Sequence, residues 1–353
     1  MIRLLIVDDS ALMRRQLSQV FVDAGGFEVR LAKNGLDAVE ENRSFLPDVV
    51  TLDINMPEMD GLASLSLIMA ERPVPVVMVS SLTEKGALAT FEALNLGAVD
   101  FITKPGGTMS MGLEGIREQL LSKVRSAYGA KLKGPATRGL AQRIREERQV
   151  PRRPVPASRA LARDGVVLIG ASTGGPRTVE EILQRLPADF PWPILVVQHM
   201  PPAFTKSFAE RLNQQCALSV VEAATPMVIE PGTVYLGRGG GDMVLTLRGS
   251  LLAVVPKPES QQHLWHPSVE LLGRSVLEHC DPSRVIGVML TGMGYDGADA
   301  FTQIHKGGGR TIAESESSAV VFGMPAELIK RGGATAVLPM DKIAAKIVEW
   351  VGS

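Results

Sequence analysis

A serine flanked by glycines opens the second half of the chain, in Gly170-Ala171-Ser172-Thr173-Gly174-Gly175-Pro176. It follows the apolar run Val166–Ile169, which reads as a strand. A G-x-S-x-G turn between strand and helix can hold a hydroxyl exposed for nucleophilic attack, because small neighbours permit a strained backbone. Pro176 suits the first turn of the helix that follows, and unpaired N–H groups at a helix N-terminus favour an oxyanion. A phosphate cradle and a plain glycine turn are the alternatives here. Gly175 is followed by Pro176 and Arg177, so there is neither a Walker lysine nor a G-x-G-x-x-G, which weighs against a nucleotide.

A nucleophilic serine needs a base, and an acid to orient that base. Of the five histidines, His199 ends the next apolar run, in Val197-Gln198-His199-Met200-Pro201-Pro202. A histidine at that strand end can share a crevice with Ser172. His266 is the second candidate, while His263, His279 and His305 read as loop or helix-surface residues. The acid candidate is Asp296, in Thr291-Gly292-Met293-Gly294-Tyr295-Asp296-Gly297, after the run Val285–Leu290. Asp296 could instead cap the next helix. The order Ser, His, Asp differs from the Ser, Asp, His of α/β-hydrolases and disfavours that fold.

A second set of reactive groups lies near the start. Asp8 and Asp9 follow the apolar run Leu4–Val7, Asp53 follows Val49–Leu52, Ser80 and Ser81 follow Val76–Val79, and Lys104 follows Phe101–Ile102. In a parallel sheet ordered 2-1-3-4-5 these ends face one crevice. Clustered carboxylates repel, and are tolerated around a hard cation such as Mg²⁺. A lysine opposite and a hydroxyl nearby suit a transferred phosphoryl group. Taken singly, the same acids would read as helix caps and loop residues.

The elements that must position these groups alternate along the chain. Through residues 1–128 five candidate strands, the four above and Val29–Ala32, alternate with helical spacing near 11–23, 35–45, 60–70, 84–96 and 113–127. Continuous Val/Ile/Leu runs suit strands buried on both faces, hence a parallel, doubly wound sheet. Residues 165–353 repeat the style. Strands are expected at Val166–Ile169, Ile194–Gln198, Ser219–Glu222, Val234–Leu236, Val244–Leu247, Leu251–Val255, Val285–Leu290 and Ala336–Leu338. Helices are expected at 176–186, 203–214, 268–279, 297–305, 325–331 and 341–350. The closely spaced middle strands suggest a β-hairpin insertion at one edge. The fold class is α/β, with two doubly wound domains.

Between them, Lys131 to Arg163 holds ten Lys/Arg against Glu146 and Glu147, a net of +8, so the rest of the chain carries −9. With four prolines and few large apolar residues, 129–164 reads as a linker, with one or two helical turns possible at 140–148. The overall charge of −1 and 5% aromatics select no nucleic acid. Two cysteines, Cys216 and Cys280, exclude a disulfide scaffold and a cysteine-rich zinc site and fit a reducing cytoplasm. The start turns acidic at Asp8, unlike a signal peptide. No apolar run approaches the ~18 residues that span a bilayer, so no membrane protein is expected.

Two resemblances join these readings. VDDS (7–10), LDINMPEMDG (52–61), VSS (79–81) and FITKP (101–105) resemble the response-regulator receiver domain, over 1–128. The resemblance implies a flavodoxin-like domain in which Asp53 accepts phosphoryl from a histidine kinase. Asp8, Asp9, Asp53 and the Asn55 backbone carbonyl would hold Mg²⁺. Ser80 (with Ser81 as the alternative), Phe101 and Lys104 would carry the switch. GASTGGP (170–176), QHMPPAFT (198–205), HPSVE (266–270), TGMGYDG (291–297) and TIAESESSAVVFGMP (311–325) resemble the catalytic domain of chemotaxis protein-glutamate methylesterases. That implies a Rossmann-like esterase domain over 165–353 with a Ser172, His199, Asp296 triad and no cofactor. Backbone N–H groups at Thr173 and Met293 would serve as oxyanion donors.

The implied reaction is hydrolysis of glutamate methyl esters on chemoreceptors, with glutamine deamidation by the same acyl chemistry. The implied control is docking of the unphosphorylated receiver over the site, and a linker of about 33 residues is long enough for it. Two departures from the family pattern bear on substrate preference. Leu236-Gly237-Arg238-Gly239-Gly240-Gly241-Asp242 stands where a Pro-Gly-Gly turn and a histidine are usual, and Glu270 stands where aspartate is commoner. The rival from another class is a non-catalytic signalling scaffold, which loss of Ser172 or His199 would have favoured. A nucleotide-binding module at Gly170–Gly175 is the third reading.

Overall fold

The computed structural model describes residues 1–81, 83–104, 109–132 and 165–352. The linker expected at 129–164 falls mostly outside them, as does the helical turn expected at 140–148. The chain divides into two compact units between residues 137 and 138, and each is described by itself.

The N-terminal unit alternates β1 (Ile2–Val7), α1 (Ala11–Ala24), β2 (Phe27–Ala32), α2 (Gly35–Ser44), β3 (Val49–Asp53), α3 (Gly61–Glu71), β4 (Val76–Ser80), α4 (Glu84–Leu96), β5 (Asp100–Thr103) and α5 (Met109–Tyr128). The five strands are parallel, in the order β2-β1-β3-β4-β5. Strands β3, β4 and β5 are buried at every residue, as apolar runs covered on both faces must be. A short polar side chain starts each of the first four helices. Ser10, Asn34, Asp60 and Thr83 accept from the N–H groups of Met13, Asp37, Ala63 and Gly86, each cap contributing ~1 kcal/mol.

The C-terminal unit contains β6 (Val166–Ala171), α6 (Gly175–Leu183), β7 (Ile194–Gln198), α7 (Pro202–Gln215), β8 (Ser219–Ala223), β9 (Met227–Val228), β10 (Thr233–Gly237), β11 (Asp242–Arg248) and β12 (Leu251–Lys257). There follow α8 (Val269–His279), β13 (Val285–Met289), α9 (Ala298–Lys306), β14 (Arg310–Glu314), α10 (Met324–Lys330), β15 (Ala336–Leu338) and α11 (Met340–Val351). The main sheet has seven parallel strands in the order β15-β14-β13-β6-β7-β10-β8. The chain winds outward from β6 in both directions, so β6 is the switch strand, where open α/β sheets place their ligands.

Two details depart from the expected elements. The insertion is a separate three-stranded antiparallel sheet, β11-β12-β9, and not a lone hairpin at an edge of the main sheet. The short strand β9 supplies the third row that an isolated hairpin lacks. Strand β14 was not expected, because only Ile312 and Ala313 are apolar there; pairing with β13 and β15 buries it. Phe301 of α9 is fully buried, and a Cβ at Gly287 of β13 would meet its ring at 2.9 Å. Cutting Phe301 to alanine would cost ~3–5 kcal/mol.

Candidate active site

Strands β6, β7 and β13 lie side by side, and the three residues expected to form a triad follow their carboxyl ends. Register pairs Ala171 with Gln198, and the His199 N–H donates to the Ala171 carbonyl at 3.0 Å. Ser172 and His199 thus stand at the ends of strands ~4.8 Å apart. The Ser172 N–H donates to Thr291 O at 3.0 Å, tying the serine turn to the loop that carries Asp296.

The serine turn is made by contacts that only small residues allow. Gly174 has φ +77° and precedes α6, with Pro176 in the first turn. A Cβ at Gly292 would lie 2.7 Å from the Ser172 Cβ. The Ser172 carbonyl accepts from the Gly175 N–H at 2.8 Å and from Gln198 Nε2 at 2.9 Å. Ser172 itself is half-buried. Its hydroxyl therefore sits on a backbone fixed from both neighbouring strands, which is the preorganisation that nucleophilic attack needs.

His199 Nε2 lies 2.8 Å from Asp296 Oδ2. The other ring nitrogen, Nδ1, is buried without a hydrogen-bond partner. An ionised carboxylate only accepts, so the proton of the neutral imidazole sits on Nε2 and Nδ1 carries the lone pair. Asp296 accepts three further bonds, from Ser268 Oγ (2.9 Å), the Val269 N–H (2.7 Å) and the Glu270 N–H (3.0 Å). Burial by itself would raise its pKa. The hydrogen bond and charge of His199, with the Glu270 and Val269 N–H groups, outweigh burial and hold the carboxyl below its ordinary value. Asp296 does cap a helix, but it is α8 and not the following α9, whose cap is Gly297. One carboxylate thus anchors α8 and orients the histidine.

His266, the second histidine candidate, belongs elsewhere. Its Nδ1 lies 3.1 Å from both oxygens of buried Asp242, which also accepts from the Ser260 and Ser268 N–H groups at 2.9 and 2.8 Å. Thr173 is buried in the serine turn and Met293 is half-buried in the loop after β13. Sequence reasoning gave no separate role to Gln198 or Glu314. Glu314, fully buried at the end of β14, accepts from the Thr291 N–H at 2.8 Å and from Ser318 Oγ at 2.8 Å. It shapes the loop before Asp296; the signal was a lone carboxylate ending an apolar stretch. The departure at Glu270 is also structural: its Oε2 accepts from the Ala300 N–H of α9 at 2.9 Å.

In the N-terminal unit, ligand oxygens of Asp8, Asp9 and Asp53 lie within 4.8 Å of one another. Lys104 Nζ reaches Asp8 Oδ2 at 2.9 Å and Asp53 Oδ2 at 2.8 Å. Arg14 donates to the main-chain carbonyls of Asp8 and Asp9 at 2.8 and 3.0 Å and fixes their turn. Three carboxylates against one lysine leave a site whose charge and oxygen donors fit a divalent cation. Burial raises the pKa of Asp53, against the lowering effect of Lys104. Burial lowers that of Lys104, yet the bonds and charges of Asp53 and Asp8 leave it raised. Asn55 follows in the exposed turn after β3. Ser80 is buried and donates to Gly86 O at 3.2 Å, while half-buried Ser81 meets Thr83 Oγ1 at 3.3 Å. Phe101 is buried, with the Lys123 ammonium 5.2 Å above its ring.

Among the described residues no helix is long and apolar enough to cross a membrane. Residues 167–347 match the CheB methylesterase family model, and residues 4–111 match the response regulator receiver domain. A relative from Rhodopseudomonas palustris, named protein-glutamate methylesterase/protein-glutamine glutaminase 2, is 52% identical over 99% of this chain and 98% of its own length. One from Rhodospirillum rubrum with the same name, numbered 3, is 52% identical over 99% of this chain and 96% of its own. The crystal structure of the Thermotoga maritima CheB methylesterase catalytic domain is 40% identical, with a TM-score of 0.51 over 52% of this chain and 97% of that one.

Proposed function

The chain belongs to the CheB methylesterase family, and on that premise we propose how its residues divide the work of a phosphorylation-regulated protein-glutamate methylesterase and protein-glutamine glutaminase. Ser172 is the nucleophile, His199 the base and Asp296 the orienting acid. The observation that carries this is a histidine held by Asp296 at 2.8 Å through Nε2, its Nδ1 unpartnered, on a strand end bonded to the residue before Ser172.

The chemistry follows from that tautomer. Ser172 Oγ attacks the ester carbonyl carbon of a receptor glutamate while its proton passes to His199 Nδ1. The imidazolium is balanced by Asp296, which remains ionised. The Thr173 and Met293 N–H groups are assigned to the oxyanion. Collapse expels methanol, which takes the proton from His199. Water, deprotonated by the same nitrogen, then releases Ser172 and leaves the free glutamate. With glutamine the leaving group is ammonia and the other steps are unchanged.

The receiver supplies the control. Asp53 takes phosphoryl from a histidine kinase, with Asp8, Asp9, Asp53 and the Asn55 carbonyl assigned to Mg²⁺. The ion, when bound, screens the carboxylates and the incoming phosphoryl oxygens from one another. Lys104 would exchange part of its bond to Asp53 for a phosphoryl oxygen, with Ser80 and Phe101 following. The domains assigned are a receiver at 1–128, a linker at 129–164 and the esterase at 165–353, acting in the cytoplasm on the receptors' cytoplasmic side. The test is methanol release from methylated receptor membranes, with and without acetyl phosphate. Stimulation in the wild type but not in Asp53→Asn supports the reading; equal stimulation of both refutes it.

A further inference from the structure

An aromatic pair lies beside His199, in offset parallel contact with its ring. The Trp265 indole lies parallel to the imidazole, with 2° between planes and 5.9 Å between centroids. Tyr295 meets the indole edge-on at 5.1 Å and 89°. Gly294, with φ +88°, closes against it, since a Cβ there would lie 2.7 Å from the indole Cζ2. Among the described residues no hydrogen bond holds the indole, so its faces and edges alone fix it. Trp265 is half-buried and Tyr295 is 50% exposed, so the pair sits at the mouth of the site and not in the core.

During acylation the Ser172 proton moves to His199 Nδ1 as Oγ bonds to the acyl carbon, and the ring becomes a cation. A cation within ~6 Å of an indole centroid is drawn to its face, most strongly where water is excluded. Asp296 steadies the ring at one edge but leaves rotation about that hydrogen bond open; a flat neighbour closes it. We propose that Trp265 is a positioning residue of the esterase, whose indole face keeps the His199 ring aligned between Asp296 and Ser172 and stabilises its protonated form. The inference rests on reading His199 as the base. The contact strengthens as the proton arrives, so it acts on turnover more than on substrate binding. The expected contribution is about 2- to 30-fold in rate.

Trp265→Leu and Trp265→Phe, in the full chain with acetyl phosphate, test this. The leucine variant is expected to lose about 2- to 30-fold in kcat, with KM little changed. Phenylalanine, which keeps a ring face, is expected to recover most of the loss. Full kcat in the leucine variant, or a loss confined to KM, overturns the proposal, and so does a phenylalanine variant no better than leucine. Proton NMR of the wild-type histidines gives a readout that needs neither activity nor a stable variant. An upfield ring signal that disappears in His199→Gln supports the stack, and the absence of such a signal overturns it. Wild type that releases no methanol would sink the proposed function instead, and the NMR result would still decide the contact.

Discussion

Asp296→Asn should damage fold and chemistry together, unlike a change at Ser172. The carboxylate accepts four bonds, two at each oxygen. An amide turns one oxygen into a donor. Placed at Oδ1, it confronts the Glu270 N–H, while the Ser268 hydroxyl can rotate to accept. Placed at Oδ2, it confronts the Val269 N–H and drives the His199 proton onto Nδ1, where the base is needed. Either way one buried N–H loses its acceptor, at ~1–3 kcal/mol, and the α8 N-terminus loses an anion, at ~0.3–2 kcal/mol. The sum of about 1–5 kcal/mol corresponds to a fall of roughly 3–20 °C in Tm for a domain of this size. Methanol release should fall about 10⁴-fold, as when a triad carboxylate becomes an amide. The pH dependence has a definite sign. A carboxyl held below its ordinary value stabilises the fold above about pH 4. That stability is lost as pH falls through the folded-state value. Thermal melts of wild type and variant from pH 7 to pH 3 should therefore converge in acid. An unchanged Tm at pH 7, a constant gap down to pH 3, or more than a tenth of wild-type activity would rule out this double role for Asp296.

Gly292→Ala would press a Cβ into Ser172, and should cut kcat at least tenfold while costing ~1–3 kcal/mol on melting; wild-type kcat would show that the turn can shift freely. Labelling of Asp53 by acetyl phosphate should need Mg²⁺ or Mn²⁺ and be abolished in Asp53→Ala; full labelling in EDTA would count against the carboxylate site. Burial and the charge of Glu180 push the Cys216 thiol up to about 12, and burial pushes Cys280 to about 11. Both thiols should therefore resist iodoacetamide in the folded protein at pH 8, as rapid alkylation under those conditions would disprove.

Much of this was legible because parallel strands announce themselves. Runs such as Val76–Val79 and Val166–Ile169 are apolar throughout, and reactive residues just past such strands gather at one edge of the sheet. That rule made Ser172, His199 and Asp296, and likewise Asp8, Asp53 and Lys104, candidates for shared crevices, and the family resemblance was needed to single out the triad from the alternatives. What stayed hidden depends on contacts between segments far apart in the chain. Asp296 caps α8, which begins 27 residues before it, so its local surroundings pointed to the wrong helix. Strand β14 has two apolar residues and acquires its burial from its neighbours. The Trp265 stack and the Gln198 bond to the Ser172 carbonyl exist only once β6, β7 and the 265 loop are in register. His266 ranked second to His199 as a base, yet its Nδ1 pairs with Asp242 at the start of β11.

Everything in this mechanism turns on Ser172 as the nucleophile. Methanol release from methylated receptor membranes by Ser172→Ala, with acetyl phosphate and Mg²⁺ present, tests it most directly. A nucleophilic Ser172 requires a loss of about 10³-fold or more in a protein whose melting temperature and Asp53 labelling match the wild type. Methanol release at the wild-type rate from that variant would contradict it.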